Sequence, residues 1–268
     1  MKKNVTMLTL FLGMALMLHA QDAGSQDAGR QDALSIVQAS RNRINALTTS
    51  TRSRMVITAK DGSTSERLID QYSKDGPSKN KRAVIVFQQP ATVAGSRFLT
   101  IENPGKNDDR WIYLPSLGKV RRIAASEGSA SFMGTDFSYD DISSTSRSTD
   151  LDTHSLLKEE ILNGYACYVI QSVPKDLGYQ YSKMIQWIDK DSKAALKLEL
   201  YDKRSTLVKV AEFSGLKDVQ GRLTPMATKM TTLAEGTSTI ITIDIIKYDD
   251  PIPEGVFTTV YLETGRPR

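Results

Sequence analysis

Apolar and polar residues alternate in short runs over most of the chain after residue 52. Alternation with a period of two is typical of β-strands, and pairs such as Asn163-Gly164 are typical of the turns that join antiparallel strands. The predicted strands cover residues 54–60, 65–72, 81–87, 97–102, 109–114, 119–123, 156–162, 165–171, 181–189, 195–201, 207–216, 222–233 and 238–248. The series predicts an antiparallel meander. No change in composition divides it, so we expect a single domain over residues 32–268.

A helical period precedes the strands. Asp32 is placed to cap a helix, and the apolar stripe that follows has near-helical spacing: Leu34, Ile36, Val37, Ser40, Ile44 and Leu47. One apolar stripe predicts an amphipathic helix that lies on an apolar surface.

Some strands are apolar on both faces. Leu196, Leu198 and Leu200 alternate cleanly with polar residues, whereas Trp187 and Ile188 are apolar neighbours in the preceding predicted strand. A strand of the second kind must be covered on both sides, or face the core on one side and a ligand on the other.

Three segments outside these strands carry separate expectations. Residues 140–155 are rich in Ser, Thr and Asp, so we expect an exposed or weakly helical stretch. Residues 251–257 contain two prolines and should cross back as a loop before a last short strand. Residues 126–141 form a loop with unusually large apolar side chains: Phe132, Met133, Phe137 and Tyr139. Such a loop either plugs a core or covers an apolar site, and both alternatives stay open.

The first 31 residues have the pattern of an exported protein. Lys2 and Lys3 precede a short apolar run that ends at Ala20, which predicts a signal peptide over residues 1–20. Residues 21–31 are a polar, glycine-broken repeat, and we expect a disordered tether. The chain should therefore be periplasmic.

Composition and residue chemistry argue against several functions. A formal charge of +4, with acidic and basic residues interspersed, does not favour nucleic acid as a partner. After the signal segment, the sequence contains one histidine, His154, and one cysteine, Cys167. This argues against a metal site, a cofactor or an enzyme, and it excludes an internal disulfide. His154 lies in a polar stretch and is interpreted as a solvated loop residue. Asp136, Asp140 and Asp141 are interpreted as turn or capping residues, or as partners for Arg121 and Arg122.

The order "DRWIYLPSLGKVRRI … SFMGTDFSYDDI" in residues 109–142 resembles the LolA-like family of outer-membrane lipoprotein-sorting proteins. The resemblance implies a mainly β fold: a strongly curved antiparallel sheet, or incomplete β-barrel, with a helical lid that encloses a hydrophobic cavity. It implies a periplasmic carrier of acylated lipoproteins or related lipids, with an inner-membrane exporter as donor and an outer-membrane acceptor. We expect a monomer. The alternative is a lipid-sensing or misfolded-protein-sensing module of the same fold.

The candidate ligand-binding residues are large apolar side chains of the strands and of the 126–141 loop. They are Met55, Ile57, Phe87, Leu99, Trp111, Tyr113, Phe132, Met133, Phe137 and Trp187. Flexible methionines and aromatic rings suit irregular apolar guests. Arg121 and Arg122 are a possible latch for the loop, or simply two strand residues, one solvated and one salt-bridged to Asp136 or Asp140.

The signal segment gives the first testable prediction. Cleavage after Ala20 should leave a mature chain that begins at Gln21. Intact mass spectrometry of protein isolated from the periplasm measures this directly, and a species that retains Met1 would contradict it.

Overall fold

The computed structural model describes residues 33–76, 80–103, 106–143 and 148–267. The predicted signal segment, the tether and the capping residue Asp32 lie outside them. The described residues form one antiparallel sheet of 13 strands, which follow one another in space almost as they do in sequence. The strands are β1 Thr48–Thr58, β2 Thr64–Asp75, β3 Lys81–Gln89, β4 Arg97–Ile101, β5 Asp109–Leu114, β6 Lys119–Ile123, β7 Asp152–Leu162, β8 Tyr165–Pro174, β9 Lys183–Asp189, β10 Ala195–Tyr201, β11 Leu207–Val219, β12 Arg222–Thr232 and β13 Thr237–Tyr248.

The sheet is not closed into a barrel. Its spatial order runs from β6 to β1, then β13 to β7, because β1 pairs with both β2 and β13. Strands β6 and β7 are therefore the two edges. The prediction of a mainly β, incomplete barrel is confirmed.

The helices are short. Helix α1 covers residues 33–42, α2 is Tyr139–Ser143 and α3 is Thr259–Thr264. The buried residues Ala33 and Val37 of α1 pack against Ile170 and Ile188 on β8 and β9. No helix among the described residues has both the length and the apolar character needed to cross a membrane.

The two faces of the first half of the sheet have different cores. Residues of β2–β6 that point to one side, such as Ile85 and Phe98, join the core that also contains Met55 of β1. Their neighbours on the other side, such as Val84 and Leu99, pack against the C-terminal segment, from which Phe257 and Leu262 are buried. The first side is concave, because the 126–141 loop that lies on it also reaches β11, β12 and β13. The continuous apolar run in β3 is thus explained by cover on both sides.

Several sequence predictions need correction. The expected last strand is instead α3, which begins where the Thr258 hydroxyl accepts a hydrogen bond from the Tyr261 amide. Helix α1 ends at residue 42, so Leu47 is exposed rather than part of the apolar stripe. The clean alternation in β10 also fails, because a register shift between Ala195 and Lys197 sends Leu196 to the outer core.

The segment predicted as exposed or weakly helical over residues 140–155 is divided. Its start is helical in α2, and strand β7 begins at Asp152, four residues before the predicted boundary. His154 is buried in β7 and is not a solvated loop residue. Its Nδ1 lies 2.7 Å from the Ser172 hydroxyl and its Nε2 lies 3.0 Å from the Thr149 carbonyl oxygen. The start of this strand was missed because its inward side chains are polar, so apolar and polar residues do not alternate there. Hydrogen bonds rather than apolar contacts satisfy these side chains.

The C-terminal segment should contribute to stability through its buried contacts. Leu262→Ala removes a fully buried side chain from the outer core and should lower the free energy of unfolding by roughly 2–5 kcal/mol. Val260→Ala on the same helix is the control, because Val260 is 45% exposed; surface changes cost about 0.5 kcal/mol or less. Urea unfolding measures both, and equal losses would contradict the packing role.

Candidate functional site

The concave face has an apolar lining in both halves of the sheet. One cluster is built by β1–β6 and includes Met55, Phe87 and Phe98. A second cluster, on the far half, includes Leu200 and Met230. Inward positions alternate with outward ones along each strand, so residues distant in sequence form one continuous surface.

The aromatic loop, residues 126–141, fills this face. Phe132 is fully buried, and its ring centroid lies 5.8 Å from Phe87, 5.1 Å from Phe98 and 5.7 Å from Tyr139. Phe137 is buried in the cluster of the far half. The loop therefore bridges the two halves and occupies apolar surface that would otherwise be open.

A buried carboxylate fixes the middle of the aromatic loop. Asp136 accepts hydrogen bonds from the hydroxyls of Thr232 at 2.7 Å, Thr237 at 2.5 Å and Thr239 at 2.7 Å. Its own amide donates to the Thr239 hydroxyl at 3.0 Å. The partners come from β12 and β13, so the interaction ties the loop to the centre of the sheet. Asp136 was predicted as a turn residue or an arginine partner; the structure gives it threonine partners instead.

Two further acids attach the end of the aromatic loop to opposite parts of the sheet. Asp141 accepts from the ammonium group of Lys209 on β11 and from the hydroxyl of Tyr181, both at 2.9 Å. Burial, together with the negative charge of Asp141, raises the pKa of Tyr181, so that this hydroxyl stays a donor. Asp140 pairs with Arg110 on β5 at 2.6 Å.

Arg67 also holds the aromatic loop, and sequence reasoning missed it. Its Nη1 donates to the Met133 carbonyl oxygen at 2.6 Å, and its guanidinium carbon lies 5.8 Å from the centre of the Phe87 ring. Burial lowers the pKa of Arg67. A sequence feature could have identified Arg67: it stands two residues before Ile69, so both side chains lie on the concave face.

The predicted latch residues have more local partners. Arg121 donates to Glu127 at 2.6 Å, at the start of the aromatic loop. That hydrogen bond raises the pKa of Arg121 and lowers the pKa of Glu127. Arg122 pairs with Asp109 on the neighbouring strand β5. The expectation that one of them is solvated and the other pairs with Asp136 or Asp140 is therefore wrong, because each has a different acidic partner. A role for either arginine in loop movement stays a prediction.

The candidate ligand-binding residues fall into three groups. Met55, Ile57, Phe87, Phe132 and Met133 share the first concave cluster, and Phe137 lies in the second. Leu99, Trp111 and Tyr113 lie on the outer face, where the C-terminal segment packs. Trp187 also lies in an outer cluster, with Cys167, Val169 and Leu196. Periodicity placed these residues on common faces, but nothing in the sequence showed which face is concave.

A cavity of about 410 Å³ lies between the concave face and the residues around the end of α1. Its volume is in the range of small-molecule sites. Apolar side chains from both halves of the sheet and from α2 line it, namely Ile85, Phe98, Ile142 and Phe213. Polar side chains in the same wall include Gln71, Thr100 and Gln186. Five charged residues also line the cavity: Arg41, Arg43, Lys74, Asp75 and Lys81. Sequence reasoning missed these residues, although Ile85 stands two positions before the candidate Phe87 and so shares its face.

Comparison with known proteins gives the family. A protein-family model described as "Uncharacterized protein" matches residues 79–264. A solved DUF1329 family protein from Desulfovibrio piger is 29% identical, and the match covers 87% of this chain and 99% of that one with a TM-score of 0.82. A putative outer membrane lipoprotein-sorting protein domain from Vibrio parahaemolyticus is 27% identical, with the same coverage and TM-score. The chain belongs to the family that this model describes, and its fold is that of LolA-like proteins.

A more distant structure supports the fold of this LolA-like protein. A LolA superfamily protein from Nitrosomonas europaea is 20% identical and matches 85% of this chain and 98% of that one, with a TM-score of 0.68. No curated protein sequence is significantly similar to the chain.

One of these relatives is described as a putative lipoprotein-sorting domain, and the descriptions of the other two name no catalytic activity. In the part of the chain that the structure describes, no three His, Cys, Asp or Glu side chains are arranged to hold a metal ion. Burial lowers the pKa of His154. What the site offers chemically is apolar surface on the concave face, with hydrogen-bonding and charged side chains around it.

The Asp136 contacts give a testable prediction for this LolA-like protein. Asp136→Ala leaves three threonine hydroxyls without their acceptor, and hydrogen bonds to charged groups contribute roughly 1.5–3 kcal/mol each. We expect a loss of about 3 kcal/mol or more in urea unfolding. Asp244→Ala is the control, because it breaks an exposed pair with Arg54 that is worth about 1 kcal/mol or less. Similar losses in the two variants would mean that Asp136 does not anchor the loop.

Proposed function

We propose that this protein is a periplasmic carrier that binds acyl chains of lipoproteins or related lipids and delivers them to the outer membrane. The observation that carries the proposal is the apolar concave face, which the aromatic loop covers at one end and which encloses a cavity of about 410 Å³ at the other. The similarity to a putative lipoprotein-sorting domain supports the same conclusion.

In this proposal, binding replaces apolar contacts between the aromatic loop and the sheet with contacts between the acyl chain and the sheet. Burying a methylene group contributes about 0.8 kcal/mol, so an acyl chain gains several kcal/mol on entering the cavity. An acyl chain longer than the cavity would displace Phe132 and Phe137, whose rings pack on other parts of the concave face. The guest then replaces contacts that the loop makes in its absence. This near balance would allow both uptake and release.

The polar contacts of the aromatic loop suit such an exchange. Asp136, Asp141 and Arg67 hold the loop by hydrogen bonds at a few points, whereas its aromatic rings make non-directional contacts. Rings can therefore leave the concave face while an anchor persists. In this proposal the folded carrier spans residues 32–268, acts as a monomer without catalysis, receives cargo from an inner-membrane exporter and gives it to an outer-membrane acceptor. A mature chain beginning near Gln21 places it in the periplasm.

A cavity-filling substitution tests the proposed site. Ala83 of β3 lines the cavity, so Ala83→Trp should exclude an acyl chain and weaken binding of a fluorescent fatty acid at least tenfold. Ala166→Trp, at an exposed position of β8 outside this cavity, should bind as the unaltered protein does. Fluorescence titration measures affinity, and a thermal melt establishes that both variants are folded. Unchanged affinity in folded Ala83→Trp would rule out this cavity as the acyl site.

A further inference from the structure

A second cavity, of about 640 Å³, adjoins the apolar one. Helix α2 contributes to both: Ile142 and Ser143 line the apolar cavity, while Asp140 and Ser143 line the second. The Ser143 hydroxyl lies 3.4 Å from that of Thr100, another residue of the apolar wall. Five helical residues span about 7.5 Å, so the two cavities are neighbours across a very thin partition.

The walls of the second cavity are polar and carry charges of both signs. The cationic side chains are Lys106, Arg110 and Lys175, and the acidic ones are Asp108, Asp140, Asp150 and Asp176. An anionic ligand would meet the four carboxylates, and a cationic ligand would meet the three cations. The near balance favours a ligand without strong net charge.

The remaining walls favour a ligand with many hydroxyl groups. Ser126, Ser129, Asn107 and Gln180 add hydrogen-bonding groups, and Tyr179 adds an aromatic ring. A hydroxyl group both donates and accepts, so it is satisfied where carboxylates and amide or cationic donors lie side by side. Among the described residues, the buried Nε–H of Arg110 has no hydrogen-bond partner. A ligand oxygen at this wall would give that donor a partner, with a small shift of the side chain.

We infer that the second cavity binds the hydroxyl-rich, uncharged headgroup of an amphiphile whose acyl chain occupies the apolar cavity. This inference rests on the proposed function, since it extends the acyl site into a two-part site for one lipid. The shared wall at Ser143 places the junction between headgroup and chain beside α2. The preferred cargo is thus a sugar-bearing lipid or a lipid with a comparable polyhydroxyl group.

Ligands with one alkyl chain and different headgroups test the inference. Dodecyl maltoside and dodecylphosphocholine, each below its critical micelle concentration, and dodecanol, below its solubility limit, compete with a fluorescent fatty acid for the full mature chain. We expect dodecyl maltoside to bind at least tenfold more tightly than dodecanol, and more tightly than dodecylphosphocholine.

Filling the polar cavity should abolish the preference for dodecyl maltoside over dodecanol without weakening fatty-acid binding. Ser129 is exposed on its wall, so Ser129→Trp should weaken dodecyl maltoside to the level of dodecanol and leave fatty-acid affinity within twofold. Ser126→Trp repeats the block from a second exposed position, which guards against a folding defect in one variant. Thr64→Trp, at an exposed end of β2 outside both cavities, is the matched control.

The outcomes separate this inference from the function on which it rests. Equal affinity for dodecyl maltoside and dodecanol, or a preference that survives both tryptophan variants, overturns the headgroup site while fatty-acid binding upholds the carrier. Tighter binding of dodecylphosphocholine assigns the cavity to a zwitterionic headgroup and overturns the polyhydroxyl assignment. Failure of the fluorescent fatty acid itself to bind overturns the proposed function and the inference together.

Discussion

Asp136 connects the aromatic loop to the sheet, and the cover of the concave face depends on that connection. A carboxylate taken out of water is costly unless hydrogen bonds replace its hydration. Hydroxyls from Thr232, Thr237 and Thr239 supply them, and they are brought together because β12 and β13 are adjacent. The loop is thus fixed at one central point. Phe132 and Phe137, on either side of Asp136, are then directed to opposite halves of the concave face.

An open sheet with apolar residues on both faces needs cover on each, and this protein uses two different covers. The outer face of the first half is closed by the C-terminal segment, whose Phe257 and Leu262 are buried among strand residues. The concave face is covered by the aromatic loop and α1, which leave a cavity between them and the sheet. Both covers combine apolar packing with polar contacts, since Glu254 of the C-terminal segment pairs with Lys74 and Arg82. In the proposed function, the guest replaces part of the concave cover.

The partition at α2 separates two chemical environments over a few ångströms. Ile142 joins the apolar surroundings, while Asp140 pairs with Arg110 beside the polar cavity. An acyl chain and a polar headgroup have the same contrast of solvation along one molecule. In the two-part site that we infer, a lipid would be selected by its headgroup as well as by its chain, because apolar contacts alone discriminate weakly between hydrocarbons.

The sequence alone determined the strand series, the antiparallel pairing of most consecutive strands, the loop with large aromatic residues and the family resemblance. These follow from local period and from short motifs, which need no knowledge of distant contacts. The sequence did not determine that β1 pairs with β13, which separates the consecutive strands β6 and β7 to the two edges of the sheet. Nor did it determine which face of β3–β5 is concave. Phe87 and Leu99 are both buried, yet one packs beneath the aromatic loop and the other beneath the C-terminal segment. Period two assigns residues to alternate faces but gives neither face a direction.

The partners of Asp136, about 100 residues away, and the burial of His154 were likewise decided only when the sheet brought β7, β8, β12 and β13 into place. Hydrogen bonds and cavities between remote strands depend on sheet curvature, and curvature is a property of the assembled sheet rather than of any one strand.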